Sequence, residues 1–66
     1  MKKTGVDTLL VSEMHVMTIG IVEFLRILGL FELSVLDQKD GMYWLIGPAE
    51  NLECFSSYWA QKTLVM

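Results

Sequence analysis

The sequence lacks most of the devices that hold very small proteins together. It has one cysteine in 66 residues, so no disulfide can close within the chain. With one histidine beside that cysteine, a four-ligand structural zinc site of Cys and His is also excluded. Basic residues are scarce: five Lys and Arg stand against eight Asp and Glu, for a net charge of −3 and a pI near 4.8. Lys2 and Lys3 are adjacent, while Arg26, Lys39 and Lys62 are scattered. There is no basic stripe of the kind that follows a phosphate backbone, so nucleic acid is not an expected partner. Glycine-rich phosphate loops and paired-histidine metal motifs are missing too. Asp37 and Asp40 flank a turn, and Glu50 and Glu53 open a helix. Each placement has an ordinary structural cause, and no catalytic residues are expected. Lys2 and Lys3 begin like a secretory leader, but Asp7 interrupts the apolar run and Glu13 ends it without a small-residue cleavage site.

What is present is apolar. Hydrophobic residues make up 53% of the chain. A single small domain, 1–66, is expected, and domains this short bury only about 60% of their unfolded surface. Without disulfide or metal, a rich core or oligomerisation must supply the stability. The lone thiol fits a reducing, cytoplasmic setting.

The longest apolar run is residues 14–31, MHVMTIGIVEFLRILGLF. It is too long for a strand and contains no proline, so it reads as a helix, with Ser12 as N-cap and Glu13 at the positive end of the dipole. At about 100° per residue, Met14, Met17, Ile21, Phe24, Leu25 and Leu28 share one side, the expected core face. The opposite side carries His15, Glu23 and Arg26 together with Val16, Ile19, Ile27 and Leu30. Polar groups confined to the middle of an outer face suggest a second partner. The expected interface on helix 14–30 is therefore Val16, Ile19, Glu23, Arg26, Ile27 and Leu30. Two copies packed antiparallel could set Glu23 against Arg26 of the mate. The expected partners are a second copy and another protein. A membrane span is the minor alternative: seventeen helical residues reach about 26 Å against about 30 Å of hydrocarbon, with Glu23 and Arg26 near the middle. Gly20 costs the helix up to about 1 kcal/mol and opens room for another backbone.

Around this segment, residues 6–12 read as a strand. Residues 32–37 and 42–46 read as a hairpin joined by Gln38-Lys39-Asp40-Gly41, whose Asp-Gly pair suits positive φ. Pro48 introduces a helix over residues 49–61 with Leu52, Phe55, Tyr58 and Trp59 on one face. Residues 63–66, TLVM, have the composition of a short edge strand. The order β-α-β-β-α-β predicts an α+β, ferredoxin-like βαββαβ fold, a four-stranded antiparallel sheet with two helices on one face. This layout is similar to that of small ACT-type and heavy-metal-associated domains, through element order alone.

Met14, His15 and Met17 have the ligand character for a soft ion such as cuprous copper, which makes a metal carrier the alternative function. Helical geometry points His15 away from Met17, and no resident cofactor is expected. Cys54 lies near a helix start but has only His15 as a candidate base. Tyr43 and Trp44 must face opposite sides of their strand, one beneath the helices and one on the open sheet.

Overall fold

The structure is a computed structural model that describes residues 5–64. The elements are β1 (Val6–Ser12), α1 (Glu13–Ile19), α2 (Ile21–Leu30), β2 (Ser34–Lys39), β3 (Met42–Pro48) and α3 (Ala49–Leu64). The strands form one sheet in the order β1-β3-β2, with β3 antiparallel to both neighbours. β1 and β2 are thus parallel to each other, with α1 and α2 making the crossover between them.

This replaces the expected ferredoxin-like βαββαβ order with β-α-α-β-β-α and a sheet of three strands. Two local causes account for the difference. The first is Gly20, at φ 106° and ψ 141°, a backbone state close to exclusive to glycine. Its N–H donates to Val16 O at 2.8 Å and its carbonyl accepts from Phe24 N at 3.0 Å. It thereby closes α1 and opens α2, and the expected single helix becomes two. The second cause lies at the other end. From Ala49 onward there is neither glycine nor proline to stop a helix, and α3 continues through Thr63 and Leu64. The β-branched Thr63 is accommodated by its hydroxyl donating to Trp59 O, one turn back, at 2.8 Å. The fourth strand expected over 63–66 is therefore absent at Thr63 and Leu64. Val65 and Met66 lie outside the described residues.

The hairpin forms as its turn chemistry requires. Lys39 pairs with Met42 across Asp40 at φ 55° and Gly41 at φ 72°. Two left-handed residues make the tight turn whose twist matches the strands. β2 then breaks register between Val35 and Asp37, which leaves Leu36 in a bulge.

All three helices lie on one face of the sheet. Val11 of β1 and Tyr43 and Leu45 of β3 are buried there with Val16, Phe24, Ile27, Leu28, Leu33, Leu52, Phe55 and Trp59. Aromatic rings dominate this core. Phe24 lies 5.3 Å from both Tyr43 and Trp59, Phe55 stacks on Trp59 at 5.5 Å, and Phe31 meets Phe55 edge-on at 5.6 Å. The α2–β2 connection passes so close to β3 that a Cβ at Gly47 would run into the Leu33 side chain and lie 3.3 Å from Glu32 O. A larger residue there would require the Leu33 side chain to move. Asn51, in the first turn of α3, donates to Phe31 O at 3.0 Å and ties the end of α2 to α3.

Candidate interaction surfaces

The residues of the 14–31 segment that face inward differ from those expected. Within the expected interface set, Val16 is 0% exposed and Ile27 2%, so both belong to the core and present nothing to a partner. Ile19 is half-buried against the same cluster. Leu30, Glu23 and Arg26 remain at the surface, Glu23 the most covered of the three. Conversely, Met14, Met17, Ile21 and Leu25, expected inside, are exposed, while Phe24 and Leu28 are buried as expected. The buried positions Val16, Phe24, Ile27 and Leu28 still share one side at about 100° per residue. That side lies between the two expected faces, because a run with so few polar residues does not fix where its inner face is centred.

The outer face of α2 is consequently apolar. Val22 is 78% exposed, Leu30 72% and Leu25 51%. Between them Glu23 and Arg26 form a two-point ion pair. Arg26 Nη2 donates to Glu23 Oε2 at 2.6 Å and Arg26 Nε to Glu23 Oε1 at 3.2 Å. The hydrogen bond and charge of Arg26 hold the Glu23 carboxyl below its ordinary range, and the same contact raises Arg26.

At the β1–α1 junction, Met14 and Met17 line an open hollow with Ser12, Glu13, Thr18 and Gly41. His15 is exposed but not part of that lining. Among the described residues, no group of three or more His, Cys, Asp or Glu side chains comes together as a metal site, and no helix is long and apolar enough to cross a membrane.

The open face of the sheet follows from the register. Leu10, Trp44 and Asp37 lie side by side, as do Thr8, Ile46 and Ser34, and Ser12, Met42 and Lys39. Tyr43 is buried under the helices and Trp44 is half-buried on the open side, as strand alternation demands. On α3, Leu52, Phe55 and Trp59 fill the core, while Tyr58 sits at the rim beside Phe31 with Lys62 Nζ 5.8 Å above its ring. Cys54 is an exposed free thiol. No family model, curated protein or solved structure matches this chain.

Proposed function

We propose that this chain is a non-enzymatic interaction or regulatory module that self-associates through the outer face of α2. The observation that supports this is the exposure of Val22, Leu25 and Leu30 on a helix whose other side already fills the core. Charge favours a second copy as the occupant. The chain carries a net −3, but α2, IVEFLRILGL, contributes one acid and one base that neutralise each other. Two copies can meet there without like-charge repulsion. Antiparallel packing about a twofold would place each Glu23–Arg26 pair over its mate, joining two pairs into a ring of four charges. A further protein partner is part of the same proposal. The exposed thiol of Cys54 supports a reducing, cytoplasmic setting, where such a group persists.

Light scattering across a concentration series, without detergent, tests the reading. We expect a dimer or larger species. Val22→Glu with Leu25→Glu should give a monomer that still folds and unfolds cooperatively, because neither side chain is buried in the core. Arg26→Glu alone should weaken the assembly, and adding Glu23→Arg should restore it. A wild type that stays monomeric at every concentration removes the proposal.

One observation favours a second reading, the soft-metal carrier: Met14 and Met17 share one hollow. Titration with cuprous copper under reducing conditions should then shift both methionine methyl resonances. Unmoved resonances eliminate it.

A further inference from the structure

The two edges of the sheet are unequal. β2 is bulged at Leu36 and carries Asp37 and Lys39, devices that discourage another strand from pairing. β1 has neither bulge, proline nor lysine over its seven residues VDTLLVS. Its pairing with β3 is regular from Val6 to Ser12. The inward and outward backbone groups can be assigned from its ends. Gly5 O accepts from Ala49 N at 2.8 Å, and Glu13 N donates to Gly41 O at 2.9 Å. In an antiparallel ladder alternate residues bond the same neighbour, so Gly5, Asp7, Leu9, Val11 and Glu13 turn towards β3. Val6, Thr8 and Leu10 turn their N–H and C=O groups outward. Of these groups, only the Thr8 N–H has a partner among the described residues: it donates to Asp7 Oδ1, on its own strand, at 2.8 Å.

Beside this edge runs a groove between β1 and α3, lined by Asp7, Thr8, Leu9, Ala49, Leu52, Glu53 and Ser56, with a volume of about 170 Å³. That is below the range of small-molecule sites, about 300–1,000 Å³, and of a size for one side chain. An extended peptide laid along β1 would send alternate side chains to this helix-covered side.

We infer that the outer edge of β1, with the flank of α3, docks an extended segment of another protein that carries a basic residue, added as a fourth strand. The charge of the segment follows from Asp7. When a strand adds, a peptide carbonyl takes the Thr8 N–H and the Asp7 carboxylate gives it up. The carboxylate then stands at the mouth of the groove, and a Lys or Arg of the peptide pairs it. A second copy of β1 offers no such cation, since VDTLLVS has Asp7 as its one charged residue. This surface is distinct from the outer face of α2, and each can fail without the other.

The experiment is selection of a randomised nine-residue peptide library on the folded chain, followed by affinity measurement on the enriched peptides. We expect peptides with β-branched residues flanking one Lys or Arg. N-methylation of alternate peptide amides should abolish binding in one of the two phases and spare it in the other, because only one set of amides faces β1. Asp7→Asn should weaken the basic peptides tenfold or more and bring their affinity to that of Lys→Gln versions. Leu10→Pro should also abolish binding while keeping the β3 ladder, because the Leu10 N–H points away from β3; the N-methyl series reads the same contact with the protein unaltered. Failure to select any peptide, selection of peptides without a basic residue, or binding indifferent to N-methylation in both phases overturns the inference. So does a homodimer of the wild type that Leu10→Pro dissociates, which would give the edge to a second copy.

Discussion

Helices α2 and α3 meet over Phe24 and Trp59, whose rings lie 5.3 Å apart, and each gives the core an apolar inner face. Their outer faces are opposite in kind. α3 presents Glu50, Glu53, Ser56, Ser57 and Gln61 to solvent, the ordinary surface of a helix with one buried side. α2 presents Val22, Leu25 and Leu30. The core does not explain that difference, because Phe24, Ile27 and Leu28 already supply α2's share of it. An apolar outer face adds nothing to the fold of one chain, and its use has to be sought outside the chain.

The widest separation between inner and outer positions should appear on α2 itself. Phe24→Ala removes a ring fully buried between Tyr43 and Trp59 and should cost about 3–5 kcal/mol. A single core in a chain of this size rarely supplies more than about 3–5 kcal/mol in total, so this variant should be largely unfolded at 25 °C by circular dichroism. Val22→Ala, two residues away, should leave the urea midpoint of the monomer within about 0.5 kcal/mol. If the two variants unfold alike, the inner and outer faces of α2 have been assigned wrongly.

The contrast between the helices also explains what could be read in advance. On α3, polar and apolar residues alternate at helical spacing, so Leu52, Phe55 and Trp59 identify themselves as the inner face. The hairpin was equally legible, because Asp40 and Gly41 carry their turn chemistry in their own side chains. On residues 14–31 nearly every position is apolar, and a pattern without polar residues to set its phase does not say which side is buried. Gly20 was visible as a weak helix former, but its effect on the neighbours was not. That effect depends on the dihedral angles it adopts, and those depend on seating Val16 and Phe24 in one core. The end of α3 was misread for a related reason. Thr63 and Leu64 have strand-forming composition, yet nothing before them stops the helix, and local continuity prevailed over intrinsic propensity. The open edge of β1 follows from that outcome and could not be seen before it.

The glycines of the same segment give a second, smaller comparison. Gly20→Ala places a Cβ in open space, so any cost comes from the backbone. At φ 106° that cost should be about 1–3 kcal/mol. Gly29, inside α2 and also with open space where a Cβ would sit, should respond in the opposite direction. Gly29→Ala should stabilise by about 0.5–1 kcal/mol, because alanine is the better helix former. Urea titration of both variants separates them. A neutral Gly20→Ala would mean that residue 20 can take a helical backbone and that α1 and α2 can run on as one helix.

The smallest effect is the pH dependence of the α2 ion pair, and it bears directly on what covers that helix. Arg26 lowers the pKa of Glu23 in the folded chain below its ordinary value of 4.5. The folded state therefore holds that proton less tightly than the unfolded state. The pair's contribution is complete above pH 4.5 and is lost as pH falls through the lowered folded value. In a monomer Arg26 is exposed and Glu23 partly so, so salt should screen the effect, and Glu23→Gln should remove a shallow slope in melting temperature below pH 4.5. In the proposed dimer each Glu23 also meets a second guanidinium, whose charge pulls its pKa lower still against the smaller upward push of lost water. The acid midpoint of the Glu23 side chain, read by NMR on specifically labelled protein, should then fall as protein concentration rises. A midpoint that holds constant from dilute to concentrated solution would leave Glu23 with Arg26 of its own chain as its sole partner and the apolar face of α2 uncovered.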